Sequence, residues 1–412
     1  MRFYEFLNES KKTGGIEIMS LEQFANQGEL DESDLLGAPT TDFPDPEMQK
    51  YLQTTVDKTK TASQRYKMPY IHRNSALKFY DESGQQFDLD KMKGVISERP
   101  KKLLKQNEKM EHSNGEKEQF FNIGFAALTG LALDEKTNQF KIVNTCPGAG
   151  SCKVDCFARG GGKVQFEGPW ISDARILTYL LNDPEGFKKQ LISEIDKENN
   201  KYAKQGAKVT IRWHDAGDFF SPEYVDLAAD VASAFPDNEF YAYTKIAKVA
   251  QGGLPPNFHI NWSEGANTSQ EKQIKSVDPK LKTTKHSRIV PSKVSSKLEV
   301  DTSIFNDLLK KDKDGKLEKT ANNGWIITDM NKLKDRIANL YKLDKDTILD
   351  YDEMMAIDEP DPIGFKQKLA KDGKIINVPI YDPPKWNVII VPGQGDISAK
   401  RSDVLGTLLL KH

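Results

Sequence analysis

The sequence predicts an α/β protein whose parallel βα units form a partial or irregular (β/α) barrel, with a flexible N-terminal arm and an inserted lysine-rich region. Three observations lead there. Short apolar runs alternate with helix-length amphipathic stretches from about residue 140 onward. Four successive strand-like runs end in polar residues, as expected where parallel strands deliver their C-terminal ends to a site. Residues 1 to 65 lack the apolar content to fold onto a core.

The arm begins with MRFYEFLNE, a short amphipathic helix pattern. It continues through GGIEIM into acidic, proline-containing sequence (GELDESDLLGAPTTDFPDPEMQ). Residues 66 to 269 are expected to form the core. Within it, KLLKQNEKMEHSNGEKEQ reads as a charged, solvated connection, and FKIVN (140–144) as a strand. A long helical pattern over about 170–204 is interrupted at Asp183-Pro184. KVTIRW is then a buried strand, and Ser221-Pro222 starts a helix with an N-cap and a proline at its first position. That helix stops at Pro236; EFYAYTKI and NFHINWSEGAN supply two more strands. This order argues for right-handed βα units on a parallel sheet.

Residues 270–385 are expected to be an insertion and helical region. It holds a strand near Ser287–Val290, a surface hairpin at KDKDGKLEK, and helices at MNKLKDRIANLYKL and GFKQKLAK. Residues 386–412 return to the core as an apolar strand, a glycine turn and a closing helix.

Composition narrows the class. The chain has 412 residues, formal net charge −2, 29% charged residues and a mean hydropathy of −0.62. Such a balance argues against coating nucleic acid or an anionic membrane by overall charge, while leaving room for a local basic groove. No run approaches the roughly 20 apolar residues of a membrane span, and the N-terminus lacks a secretory pattern. All three cysteines, Cys146, Cys152 and Cys156, fall within eleven positions. An odd, clustered set suits a reducing compartment and metal binding rather than disulfides, so a cytoplasmic location is expected.

The spacing is Cys-x5-Cys-x3-Cys, with Pro147, Gly148 and Gly150 letting the backbone curl between the first two thiols. Converging thiolates repel unless a cation binds them. Zinc with a fourth ligand satisfies this, as does a [4Fe–4S] cluster with one open iron. The position after an early strand, without a second cysteine pair, favours the cluster. The second signal is WHDAGDFFS. His214, Asp215 and Asp218 offer hydrogen-bonding groups, Gly217 permits close backbone approach, and the following helix points its positive N-terminus at the loop. Lys245 and Glu264 stand at the next two strand exits. GQGDISAKR near the C-terminus has the glycine spacing of an anion nest, a pattern of low specificity.

CPGAGSCKVDCFA, RWHDAGDFFSPEY and FYAYTK together resemble the gene product 88 family of bacteriophage proteins, over roughly residues 100–265. Phe157 stands where that family more often has Tyr. The layout is also similar to radical S-adenosylmethionine enzymes, although these usually space their cysteines Cys-x3-Cys-x2-Cys. That similarity implies cluster ligation by Cys146, Cys152 and Cys156. It further implies a cofactor-binding set of Phe157, His214, Gly217 and Glu264, catalytic roles for Asp215, Asp218 and Lys245, and S-adenosylmethionine as a second cofactor. The rival expectation is a zinc-stabilised binding or virion-associated protein. Its arm and lysine-rich insertion would be docking surfaces for a protein partner. A third expectation is nucleic-acid processing, with lysines 272–297 lining a groove.

Overall fold

The computed structural model describes residues 18–20, 90–115, 117–127, 129–150, 158, 167–278, 281, 284–291, 304–320, 324–358, 363–369, 375–380, 382–392 and 399–411. In chain order the strands are β1 (Ile18–Ser20), β2 (Glu118–Ile123), β3 (Thr129–Asp134), β4 (Gln139–Asn144), β5 (Lys208–Trp213), β6 (Glu239–Thr244) and β7 (Phe258–Ser263). They continue as β8 (His286–Pro291), β9 (Ile348–Asp350), β10 (Gly364–Leu369), β11 (Ile375–Ile380), β12 (Trp386–Val391) and β13 (Val404–Lys411). The helices are α1 (Asp90–Ser97), α2 (Glu108–Ser113), α3 (Glu167–Asn182), α4 (Pro184–Ala203), α5 (Pro222–Ala234), α6 (Ala247–Ala250), α7 (Thr268–Val277), α8 (Met330–Tyr341) and α9 (Tyr351–Met355).

Eight strands form one sheet in the order β2-β5-β6-β7-β8-β13-β12-β9, and every neighbouring pair is parallel. The first five are wound sequentially. The chain then crosses to the far edge and returns inward through β9, β12 and β13. The winding direction therefore reverses between β8 and β13, where open α/β sheets leave a crevice at their carboxyl ends. Among the described residues β2 and β9 are the outermost of the eight strands, with Lys105 bridging Asn122 beyond β2, so what is established is a parallel α/β sheet. β7 meets β8 only through Trp262 and Ser263, which face His286 and Ser287. The second half of the sheet is thus set forward relative to the first.

The main core lies under α3, α4 and α5. It takes Phe121 and Ile123 from β2, Ile211 and Trp213 from β5, and Phe240 and Ala242 from β6. Phe187, Leu191 and Ile195 of α4 are fully buried against them. Removing Phe187 to Ala is worth about 3–5 kcal/mol on general grounds. The interruption expected at Asp183-Pro184 is real. Asp183 caps α4, accepting from Gly186 N–H at 2.9 Å, with Pro184 at the first position. Ser221 caps α5 in the same way, accepting from Tyr224 N–H at 3.2 Å. A second core joins Leu333 and Ile337 of α8 to β9, β12 and β13.

Four expectations need correction. The closing helix is strand β13. Its run VLGTLLL buries residues on both faces, with Leu408 and Leu410 in one core and Val404 in another, and such a run has no period that separates strand from helix. GFKQKLAK contributes β10, paired with β11 over six register positions, because cross-strand pairing overrides its helix-forming Lys and Gln. The region 270–385 is not merely an insertion, since it supplies β8 and β9 to the main sheet. The charged connection 103–119 carries fully buried Leu103, Leu104 and Met110, and α2. Most of the N-terminal arm lies outside the described residues; Ile18–Ser20 pair antiparallel with β4.

Candidate functional site

The exits of β4, β5, β6 and β7 meet at the carboxyl end of the sheet. After β5 the chain turns sharply: His214 has φ +69 and Gly217 has φ +86. Gly217 has little alternative, because a Cβ there would sit 2.5 Å from Phe125 Cε2. This double kink turns Asp218 inward. Its buried carboxylate accepts from Phe219 N–H (2.7 Å), Thr244 Oγ1 (2.7 Å) and Lys245 N–H (2.8 Å). Its own N–H donates to Thr145 O at 2.8 Å, one residue before Cys146. Asp218 therefore ties three strand exits together. Burial raises its pKa, and the hydrogen bonds from Thr244, Lys245 and Phe219 act against that rise.

Lys245 follows β6 and is buried. Its Nζ donates to Ser263 Oγ (2.6 Å), Ser263 O (3.0 Å) and Glu264 O (2.7 Å), so its charge is fixed on the exit of β7. Glu264 donates its N–H to Ser287 O (3.0 Å), and its Oε1 stands 3.9 Å from His286 Nε2. Asp215 is half-buried beside β2, its N–H donating to Ile123 O at 3.1 Å.

His214 is sealed among aromatic rings, with centroids of Phe219 at 4.7 Å, Tyr224 at 5.5 Å and Phe125 at 5.7 Å. Its Nε2 pairs with Tyr224 Oη at 3.0 Å, while buried Nδ1 has no hydrogen-bond partner among the described residues. Loss of solvent, with Arg212 nearby, pushes its pKa down to about 3, so the ring is neutral at ordinary pH.

The cysteine segment is laid over these exits. Gly148 and Gly150 pass so close to backbone that a Cβ would come within 2.3 Å of Lys245 O and of Ala266 O, respectively. Asn267 fastens the turn, its N–H reaching Gly148 O (2.9 Å) and its Nδ2 reaching Pro147 O (2.9 Å). Half-buried Cys146 packs with Ala127, Ala158 and Ala216. Both ends of the segment, Cys146 and Ala158, thereby rest on the loop that carries His214–Asp218. Cys152, Cys156 and Phe157 lie outside the described residues. Among the described residues no group of three or more His, Cys, Asp or Glu is placed to hold a metal.

Thr244 and Ser263 were marked by the sequence as polar residues at strand exits, and the structure gives them their partners, Asp218 and Lys245. Sequence reasoning missed Thr145 and Tyr224, which hold the site's loops and rings in place. Arg212 was also passed over. Its Nε donates to His214 O at 3.1 Å, and its guanidinium lies 5.3 Å from the Tyr243 ring centroid. Among the described residues no helix is long and apolar enough to cross a membrane.

Residues 101–336, more than half of the chain, match the family model described as Gene product 88. No curated protein and no solved structure matches.

Proposed function

The chain belongs to the gene product 88 family, and from that premise we propose that it is an iron–sulfur protein with a radical S-adenosylmethionine-like site at the carboxyl end of its parallel sheet. Cys146, Cys152 and Cys156 would hold a [4Fe–4S] cluster. The single observation behind this reading is the packing of Cys146 and Ala158 together on Ala216. Cys146, at the start of the segment, therefore stands at the exits of β5 and β6. The chemistry of the donor set supports the reading: three thiolates so close in sequence call for a cation, and three ligands suit a cluster with one open iron. When bound, that cluster supplies one-electron chemistry to a small molecule at the open iron.

The chain's own residues have separable tasks in this reading. Asp218 and Lys245 hold the loops in register. Asp215, Gly217 and Glu264 line the ligand side, and Phe157 provides a flat surface for the adenine of S-adenosylmethionine. His214, neutral and dry, excludes water behind the loop and keeps a ring nitrogen uncharged.

A second reading is a zinc-stabilised binding protein without catalysis. It is favoured by the internal use of Asp218 and Lys245, whose polar atoms are already engaged. Residues 1–65 and the lysine-rich insertion would then be docking surfaces for a protein partner.

Anaerobic purification with metal analysis and an absorption spectrum separates the two. The cluster reading expects a brown protein with about four irons, bleached by Cys152→Ala, whose spectrum shifts on adding S-adenosylmethionine. A colourless protein with one zinc overturns it.

A further inference from the structure

Parallel sheets covered on both faces are built from nearly continuous apolar runs. One face of this sheet obeys: Phe121, Ile123, Ile211, Trp213, Phe240 and Ala242 enter the main core. The other does not. Register pairs Asn122 with Arg212, Tyr243 with Asn261, and Ser287 with both Ser263 and Thr407. Residues in register share a face, so polar residues recur on β2, β5, β6, β7, β8 and β13 on the side away from the main core, beside a small apolar cluster of Met110, Phe120, Tyr241 and Ala399.

A polar stripe that served only the fold would satisfy itself. This one is incomplete. Asn122 is fully buried, yet neither its Oδ1 nor its Nδ2 has a hydrogen-bond partner among the described residues. Asn261 is fully buried, with Nδ2 donating to Ala399 O (2.9 Å) and Oδ1 unpaired. The hydroxyls of Ser287 and Thr407 are likewise buried and unpaired. On the strands between the two asparagines, the guanidinium of half-buried Arg212 lies over the ring of half-buried Tyr243, 5.3 Å from its centroid.

We propose that this stripe is a binding surface for a small planar molecule bearing an adjacent hydrogen-bond donor and acceptor, the edge shared by nucleobases and carboxamides. A carboxamide reads such an edge with two parallel hydrogen bonds, and Asn122 presents a carboxamide with both atoms unused. Arg212 and Tyr243 supply the stacking layer, and Asn261 Oδ1 supplies a further acceptor. Arg212 and Tyr243, half-exposed, form the mouth; the asparagines form the floor. None of these residues is a candidate metal ligand, so the inference stands or falls independently of the cluster.

The test uses the full-length protein as purified, titrated with adenosine and, separately, benzamide, and followed by calorimetry and thermal melting. Saturable binding of either probe is expected, and which one binds identifies the source of the edge. Asn122→Leu removes an unpaired buried amide in favour of an apolar side chain of similar volume. It is expected to melt higher by roughly 2 °C while binding the probe at least ~10-fold more weakly. Arg212→Lys, which keeps the charge but not the flat fork, is expected to weaken binding about tenfold without unfolding. Absence of binding by both probes overturns the proposal. So does wild-type affinity in Asn122→Leu, or a lowered melting temperature in that variant, which would show that the amide is already satisfied within the fold.

Discussion

The Asp218 carboxylate accepts the Lys245 backbone N–H at 2.8 Å, binding the loop that leaves β5 to the residue that leaves β6. The same side chain accepts from Thr244 and Phe219, and its backbone N–H reaches Thr145 at the foot of the cysteine segment. One residue, through its carboxylate and its backbone N–H, thus fixes the mutual position of three loops.

Asp218→Ala leaves two backbone N–H groups and one hydroxyl buried without their acceptor. At roughly 1–3 kcal/mol for each stranded group, a loss of about 4 kcal/mol is expected in urea unfolding. Asp218→Asn keeps one acceptor oxygen and should lose about half of that. Equal stability of Asp218→Ala and the native protein would remove Asp218 from its place as the hub.

His214 sets an acid limit. Its folded pKa is lowered to about 3, while the unfolded ring has its ordinary value of 6.5. Between those values the unfolded state binds more protons, so stability rises with pH across the window and is lost as pH falls from 6.5 toward 3. At about 1.4 kcal/mol per pH unit, the fall amounts to roughly 4–5 kcal/mol. Urea unfolding from pH 7 down to pH 4 should show this slope, and His214→Phe, which keeps an aromatic ring in the cage, should reduce it, leaving the part contributed by His259, whose pKa burial lowers to about 4. An unchanged slope in that variant would assign the acid sensitivity elsewhere.

Gly148→Ala places a methyl group 2.3 Å from Lys245 O. Backbone on both sides cannot yield, so the cysteine segment is expected to lift from the exits of β6 and β7. The variant should show faster amide hydrogen exchange at Ala149 and Asn267, while the α4 amides stay protected, and under the cluster proposal it should also lose iron. Retention of protection at both amides would show that close contact at Gly148 is not required.

Lys400 anchors the returning C-terminal segment, its buried ammonium donating to both Glu118 oxygens (2.7 and 2.9 Å) and pairing with Glu239 at 2.9 Å. Burial pushes the Glu239 carboxyl up, but Lys400 and His259 more than offset this and hold it below its usual range. Lys400→Met leaves two carboxylates facing each other at a partly exposed site, and a loss of about 2–3 kcal/mol is expected. In a double-mutant cycle with Glu239→Gln, most of the Glu239 share of that loss should disappear.

Much of this architecture was legible in the chain. Asp183-Pro184 and Ser221-Pro222 announce helix starts through local capping chemistry, and the strands KVTIRW and EFYAYT announce themselves by β-branched and aromatic content. Elements whose state depends on neighbours were not legible. VLGTLLL becomes a strand because a slot between β8 and β12 buries it on both faces, with Gly406 leaving room for the His286 ring. GFKQKLAK follows its partner β11 rather than its own propensity.

The sequence by itself determined that three cysteines fall within eleven positions, that polar residues mark the strand exits, and that the chain belongs with a known family. These are properties of local order and spacing. Only the tertiary structure decided that Asp218 and Lys245 spend their hydrogen bonds inside the protein, that His214 is dry and neutral, and that Asn122 is buried with an amide that has no partner among the described residues. Such outcomes depend on which strands become neighbours and on their register, and a shift of one residue would turn every one of these side chains to the opposite face.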